Sequence, residues 1–197
     1  YFFFSKHLIF TFLALNIMIL ISIIDTSLLK KFVTPLFILS FISLALVPIA
    51  GVEVKGAKRW LDFYFFRLQP IEILKPFFIL ITVQILTLKS LKKPQIKYIF
   101  SFLLLSSVII FLIDQPDLGQ TILLIGTWIT TVFISGVSLI YISVFIFFFL
   151  LSVSLLLFSM PGKFGYIIDR LVSFIDPSKG DKFQSSSALD AIKLGGL

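Results

Sequence analysis

The apolar sequence IKYIFSFLLLSSVIIFLI fills residues 96–113, and LGQTILLIGTWITTVFI fills residues 118–134 after a polar junction, DQPD, at residues 114–117. Each run approaches the roughly 20 residues that a helix needs to cross the hydrocarbon core of a bilayer. Neither run alternates apolar and polar residues, as the strands of a membrane barrel do. The stretch therefore predicts two membrane-spanning helices joined by a tight polar turn.

Apolar runs of this kind recur along the chain. Hydrophobic residues make up 58% of the sequence and its mean hydropathy is +1.10, which leaves too few polar residues to cover a water-soluble surface. The predicted fold class is therefore all-α, a polytopic transmembrane helical bundle. The predicted spans are residues 8–24, 35–50, 71–88, 96–113, 118–134 and 139–158.

Two long polar segments, residues 51–70 and 160–197, interrupt this pattern. We assign residues 1–159 to the helical bundle and residues 160–197 to the start of a large extracytoplasmic loop. The sequence begins at Tyr1 without Met, and we expect the chain to be a piece of a longer protein. It contains no cysteine, which excludes disulfides and thiolate metal sites.

The net charge of +7 is concentrated in short clusters between the apolar runs. Such clusters flank membrane spans and meet lipid head groups, so we expect membrane lipid as a partner and no nucleic acid. One side of the bundle carries the larger set of cations: Lys30, Lys31, Lys89, Lys92, Lys93 and Lys97. The other side carries Lys55, Lys58, Arg59 and Arg67. The positive-inside rule then makes the first side cytoplasmic.

The first notable polar group is GAKRWLD at residues 56–62, which places two cations, a tryptophan and an acid at the membrane surface. One interpretation is an interfacial anchor, with Trp60 among the head groups and Lys58 and Arg59 extended toward them. The other is a clamp for a pyrophosphate or an acidic sugar, since arginine donates two parallel hydrogen bonds to such anions. The residues alone leave both interpretations open.

The second group is RLQPIEILK at residues 67–75. Pro70 suits the first turn of a helix, and Glu72 and Lys75 then lie three residues apart on one face, close enough to pair. Charges at the head of a span are costly unless they are paired. The pair either fixes helix packing or forms the polar wall of a substrate cavity, in which Arg67 and Lys75 face phosphate.

The third group is DQPDLGQ at residues 114–120. Asp114 or Gln115 is expected to cap the following helix, with Pro116 at its first position. Capping explains only one of the two acids, and paired carboxylates also suit a divalent cation such as Mg²⁺ or the positioning of hydroxyl groups. No phosphate-binding glycine loop, metal-ligand spacing or nucleophile elbow is present.

In order and spacing, the three groups resemble the motifs G-[AS]-x-R-W-[IL]-[DN], R-x-Q-P-[SA]-E-x-x-K and Q-P-D-[LI]-G of the FtsW/RodA/SpoVE (SEDS) family. RLVSFIDP at residues 170–177 and the segment at residues 183–196 are similar to two stretches of that family's large outer loop. The resemblance covers nearly the whole chain. It implies helices 2 to 7 of a ten-helix protein and part of its outer loop.

The resemblance implies an inverting glycosyltransferase that polymerises lipid II, a lipid-linked disaccharide-peptide, into peptidoglycan at the outer face of the cytoplasmic membrane. It places the proposed general base beyond Leu197, so we assign no catalytic residue to this chain and expect it alone to be inactive. Carried over position by position, it implies a set of substrate-binding residues. These are Lys58, Arg59, Arg67, Gln69, Glu72, Lys75, Gln115 and Asp117.

Within the family, details such as DLGQT at residues 117–121 resemble division-type members. This implies a multi-pass protein of the bacterial inner membrane at the division septum, with a class B penicillin-binding transpeptidase and divisome proteins as partners. One alternative is an elongation polymerase of the RodA type. Another is a transporter or flippase of the lipid-linked precursor, because charged residues in spans also suit a transport path. A purely structural scaffold would leave the Glu72–Lys75 pair without a purpose.

Overall fold

The computed structural model describes residues 2–54, 57–64, 66–89, 93–159, 172 and 183–195. Helices dominate these residues, and each predicted span falls on one of them. Their bounds are α1 Phe2–Ile23, α2 Thr26–Ala50, α3 Pro70–Thr87, α4 Pro94–Asp114, α5 Leu118–Ile134, α6 Leu139–Ser159 and α7 Phe183–Leu194. The predicted helical fold class is confirmed.

The helices differ in how fully they match the thickness of a bilayer. In the described part of the chain, α1, α2, α3 and α4 are long and apolar enough to cross a membrane. Helix α5 has 17 residues, which gives it a length of about 25 Å against a hydrocarbon core of about 30 Å. Helix α6, Leu139–Ser159, has 21 residues, which gives it a length of about 32 Å. The helices at the predicted spans are therefore close to the thickness of a bilayer.

The chain divides into two compact units, Tyr1–Ser135 and Gly136–Leu197. The first unit holds α1 to α5 together with a small sheet, and the second holds α6 and α7. Most of the predicted outer loop, including all of the motif at residues 170–177 except Val172, lies outside the described residues. Its assignment to residues 160–197 stays a prediction.

Helix α3 is central to the first unit, because it contacts α2, α4 and α5. Its buried side chains repeat at intervals of three or four residues, as in Ile71, Leu74 and Phe78, so they form one continuous face. Many outward-facing apolar side chains on the same helices are exposed. That pattern suits a bilayer, in which lipid tails replace protein neighbours and helices associate by close packing.

The spans predicted at residues 8–24 and 35–50 leave a connection over residues 25–34, and this connection is wrong because α2 begins at Thr26. Asp25 caps the helix by accepting a hydrogen bond from the amide N of Ser27 to its Oδ1 at 3.1 Å. This bond lowers the pKa of the Asp25 carboxyl below its ordinary value of 3.8. Pro35, taken as the start of the span, lies inside the helix, where membrane helices tolerate proline if neighbouring groups satisfy the freed backbone.

A three-stranded antiparallel sheet between α2 and α3 was not predicted. Its strands are β1 Val52–Val54, β2 Ala57–Asp62 and β3 Arg67–Leu68, in the order β1-β2-β3. Strand β2 buries Ala57 and Leu61 and contacts α2 and α3, so the sheet lies against the end of the bundle where α2 stops and α3 starts. Strands this short and this charged give no periodic sequence signal.

The junction between α2 and the sheet has room only for glycine. A Cβ atom on Gly51 would collide with the carbonyl oxygen of Val47, the same oxygen that accepts the Gly51 amide hydrogen bond at 2.8 Å. Val47 is itself fully buried, and close-packed surroundings leave its backbone little room to move. Gly51 therefore fixes the point at which the chain leaves α2 for β1.

We predict that Gly51→Ala lowers the free energy of unfolding by about 1–3 kcal/mol, because the added methyl group overfills the junction. Thermal unfolding in detergent micelles measures this change. Gly126→Ala in α5 is the matched control, since nothing lies within 4 Å of its added Cβ and alanine favours a helix. Equal stability of the Gly51→Ala variant and the parent chain would contradict the packing argument.

Candidate functional site

The turn between α4 and α5 presents Asp117 as the N-cap of α5. Its Oδ1 accepts a hydrogen bond from the amide N of Gln120 at 3.5 Å, and the helix begins at the residue after Asp117. The prediction that Asp114 or Gln115 caps this helix, with Pro116 as its first residue, is therefore wrong. The Asp117 side chain lies three residues before a free amide group of the first turn, which is the usual N-cap geometry.

Arg59 of β2 joins the sheet to this turn. Its Nε donates to the carbonyl oxygen of Gln115 at 3.0 Å, and its Nη2 donates to that of Pro116 at 2.7 Å. The Nε atom also lies 3.8 Å from Oδ2 of Asp117. A guanidinium group is planar and forked, so one side chain can hold two neighbouring carbonyl groups. Arg59 is thus bonded inside the protein, which a simple head-group anchor does not require.

Glu72, Lys75 and Gln120 form a closed ring of polar contacts between α3 and α5. The Nζ of Lys75 lies 2.7 Å from Oε2 of Glu72 and donates to Oε1 of Gln120 at 2.9 Å. The Nε2 of Gln120 donates to Oε1 of Glu72 at 2.8 Å. The predicted i,i+3 pair therefore exists, and it has a third member that the sequence argument did not name. Its position three residues after Asp117 in DQPDLGQ was the available signal.

Gln69 links the turn to the start of α3. Its Nε2 donates to Oδ2 of Asp117 at 3.4 Å, and the Asp117 side chain is only 11% exposed. Asp117 thus caps the helix, pairs with Arg59 and accepts a hydrogen bond from Gln69 at the same time. A carboxylate removed from water in this way needs such partners. The structure brings Arg59, Gln69 and Asp117 together, and their predicted role in substrate binding stays a prediction.

Lys58 and Arg67 lie on the sheet, apart from these contacts. The Nε of Arg67 is 3.2 Å from Oδ2 of Asp62, and the two side chains are 59% and 36% exposed. Lys58 is exposed and stands opposite Glu53 in the β1–β2 register. Exposed ion pairs contribute at most about 1 kcal/mol. Within the described residues, neither cation bonds to the Glu72–Lys75–Gln120 ring, so their predicted roles stay untested.

The acids of the turn are not arranged as a ready-made metal site. Across the described ranges, no group of three or more His, Cys, Asp or Glu side chains could hold a metal ion. Asp114 is exposed at the end of α4, while Oδ2 of Asp117 faces Arg59 and Gln69. A divalent cation such as Mg²⁺ would need oxygen ligands from other residues or from a bound substrate, and its presence stays a prediction.

These contacts define a multi-pass helical membrane protein with a charged, hydrogen-bonded cluster at the sheet end of its bundle. A family described as cell cycle protein, FtsW/RodA/SpoVE, matches residues 1–197. The chain therefore belongs to the FtsW/RodA/SpoVE family. The resemblance inferred from the three polar groups is confirmed.

Curated relatives of this chain carry one recurring description. It is similar to the probable peptidoglycan glycosyltransferase FtsW of Aliivibrio salmonicida, with 30% identity over 98% of this chain and 48% of the relative. It is also similar to the probable peptidoglycan glycosyltransferase FtsW of Buchnera aphidicola, with 32% identity over 98% of this chain and 56% of the relative. The chain spans about half the length of the curated relatives it matches.

Solved structures share the fold. The crystal structure of the rod shape determining protein RodA of Thermus thermophilus has a TM-score of 0.60 and 27% identity, covering 70% of this chain and 46% of that chain. A structure described as structural coordination of polymerization and crosslinking by a peptidoglycan synthase complex has a TM-score of 0.64 and 26% identity, covering 83% and 48%. With the apolar helices, these similarities identify a multi-pass inner-membrane protein.

We predict that Arg59→Lys lowers the free energy of unfolding by about 1–3 kcal/mol, because an ammonium group cannot hold both carbonyl groups of the turn. Arg67→Lys is the matched control, and we expect its effect to stay within about 0.5 kcal/mol, as at most exposed positions. Chemical denaturation in micelles compares the two variants. If both lose the same stability, the bonds from Arg59 to the turn are not what secures the sheet.

Proposed function

We propose that the whole protein is a peptidoglycan glycosyltransferase of the cell-division type. It polymerises lipid II, the lipid-linked disaccharide-peptide, into glycan strands at the outer face of the inner membrane. Family membership supports this activity, and the relatives named as probable peptidoglycan glycosyltransferase FtsW support the division type. The alternative within the family is an elongation polymerase of the RodA type, which the structural similarity to RodA supports.

The observation that carries the proposal is the ring of Glu72, Lys75 and Gln120. In the proposed reaction, a hydroxyl group of one lipid-linked saccharide attacks the anomeric carbon of another. The new glycosidic bond forms as the bond to the polyprenyl pyrophosphate breaks, the hydroxyl proton passes to the proposed general base, and negative charge develops on the departing oxygen. A preorganised ammonium group stabilises such charge most where water is scarce.

The ring holds Lys75 in place while leaving it accessible. Its side chain is 21% exposed, and two protein acceptors fix the direction of its ammonium group. Because an ammonium group has three N–H donors, one remains for a ligand. The Glu72 side chain is 47% exposed, and its negative charge balances the positive charge of Lys75 when no substrate is bound. Gln120 ties both to α5. Lys75 therefore contacts the pyrophosphate in this proposal, and Glu72 and Gln120 position it.

We further propose that the protein works at the septum with a class B penicillin-binding transpeptidase and other divisome proteins. A solved structure with the same fold is described as coordinating polymerization and crosslinking in a peptidoglycan synthase complex. Crosslinking of new strands requires a transpeptidase close to the polymerase. Anionic lipid is a further partner, which the Lys30-Lys31 cluster on the predicted cytoplasmic side supports.

Lys75→Met in the whole protein tests the proposal. We expect it to reduce the rate of lipid II polymerisation by about a hundredfold, as when one donor to a developing anion is removed. Lys93→Met, an exposed lysine before α4, is the control and should keep the parent rate. Glycan strands made by proteoliposomes from labelled lipid II give both rates. Full activity of Lys75→Met, with Glu72 and Gln120 unchanged, would refute the role of the ring.

Residues 1–197 alone provide a separate test. The family resemblance places the proposed general base after Leu197, so we expect these residues to make no glycan strands under conditions in which the whole protein does. The same lipid II assay, with equal amounts of both proteins in the membrane, measures the difference. Strand formation by residues 1–197 would show that the base lies among them.

A further inference from the structure

The hairpin that joins β2 to β3 presents aromatic side chains on the outside of the protein. Phe63 and Phe66 are exposed, and Tyr64 is 93% exposed. The rings of Phe63 and Phe66 stack on each other with their centroids 5.4 Å apart, so they form one apolar surface. The chemistry proposed around Lys75 makes no use of this surface.

Polar groups of the hairpin hold its shape. The Asp62 carboxylate accepts a hydrogen bond from the amide N of Tyr64 to Oδ1 at 3.1 Å and one from Nε of Arg67 to Oδ2 at 3.2 Å. The amide N of Phe63 donates to the carbonyl oxygen of Phe66 at 3.0 Å. Tyr64 has a φ of 63°, a left-handed conformation that residues with bulky side chains rarely adopt. The bond to Asp62 therefore stabilises a strained turn in which the aromatic side chains stay outside.

The hairpin is too short to extend far from the bilayer. Helix α3 begins at Pro70, and at most about 14 Å of chain separates this residue from Phe66. The 18 residues of α3 can cross a membrane, and their length of about 27 Å is close to that of the hydrocarbon core. Pro70 therefore lies near the edge of the core, and the head groups continue for about 5–7 Å beyond that edge. The hairpin is thus within reach of the head groups.

The chemistry of the hairpin matches the interface between lipid and water. Neighbouring apolar rings are unfavourable in water, whereas aromatic side chains are enriched at the level of the head groups. The ring of Tyr64 suits the apolar side of this interface while its hydroxyl group bonds to water or to lipid oxygens. The ion pair of Asp62 and Arg67 has no net charge, so little charge opposes contact with lipid.

We propose that the β2–β3 hairpin inserts Phe63, Tyr64 and Phe66 into the head-group region of the membrane. The leaflet is the one on the sheet side of the bundle, which the charge distribution predicts to be the outer leaflet. Arg59 bonds β2 to the α4–α5 turn, and the hairpin fixes the end of the same strand in the bilayer. The sheet is thereby held at the level of the lipid head groups.

Spin labelling of the whole protein tests this insertion, in nanodiscs of phosphatidylethanolamine and phosphatidylglycerol. Residues 1–197 contain no cysteine, so Tyr64→Cys supplies one labelling site once any cysteine in the rest of the protein is replaced by serine. We expect this label to collide more with oxygen, which concentrates in lipid, than with the water-soluble nickel–EDDA complex. Its depth should lie within about 5–10 Å of the lipid phosphates.

The matched control is Glu53→Cys, at an exposed position of the same sheet. We expect its label to collide more with nickel–EDDA than with oxygen, because the position faces water. Equal accessibility of the labels at positions 53 and 64 to nickel–EDDA would overturn the proposal.

A double variant, Phe63→Ser with Phe66→Ser, shows whether the aromatic rings hold the hairpin in lipid. We expect it to raise the nickel–EDDA collisions of the Tyr64→Cys label severalfold, to the level of the Glu53→Cys label. Because both rings are exposed, the unfolding temperature should change little. A label that stays at the same depth in the double variant would show that the nitroxide itself causes the insertion, and the proposal would be overturned.

Addition of a class B penicillin-binding transpeptidase to the same nanodiscs separates lipid contact from protein contact. We expect the label at position 64 to prefer oxygen with and without this partner. Loss of collisions with both oxygen and nickel–EDDA, seen only when the transpeptidase is present, would assign the aromatic surface to the partner protein and contradict insertion into lipid.

Discussion

The structure of this end of the bundle depends on the fork of the Arg59 guanidinium group across two carbonyl groups of the α4–α5 turn. The sheet has only short strands, and a sheet of this size has little stability of its own. Burial of Ala57 and Leu61 holds one side of β2 against the helices. Arg59 adds directional bonds that a nonpolar contact cannot supply, so the sheet has a defined position over the turn.

The same constraint orders the polar groups around Asp117. A carboxylate that is largely shielded from water requires compensation from hydrogen-bond donors or from an opposite charge. Asp117 has a backbone donor from Gln120, an amide donor from Gln69 and the nearby guanidinium group of Arg59. Each of these comes from a different element, so the carboxylate fixes α5, α3 and β2 with respect to one another. The side chain of Gln120 also accepts a hydrogen bond from Lys75, which fixes Lys75 relative to α5.

The sequence predicted the parts of this arrangement that depend on composition and periodicity. Long apolar runs identify helices in a bilayer because no other open structure satisfies its backbone there, and the Glu72–Lys75 spacing identifies a pair on one helix face. The sheet and the ring member Gln120 depend on contacts between segments that are distant in the sequence. The cap at Asp25 depends on which of several neighbouring residues begins the helix. In particular, residues 25–34 contain two lysines and an aspartate, which suit a loop and a helix start equally well. Pro35 favoured a helix start at residue 35, whereas α2 begins at Thr26.

In the α4–α5 turn, the backbone and the side chain of Gln115 differ in their hydrogen bonding. The carbonyl oxygen of Gln115 is bonded to Arg59, whereas its buried amide group has no partner in the described part of the chain, at a cost of about 1–3 kcal/mol. The two bonds from Arg59 to the turn offset this cost, because a hydrogen bond that involves a charged group contributes about 1.5–3 kcal/mol. The turn therefore keeps its position although one of its buried donors is unsatisfied.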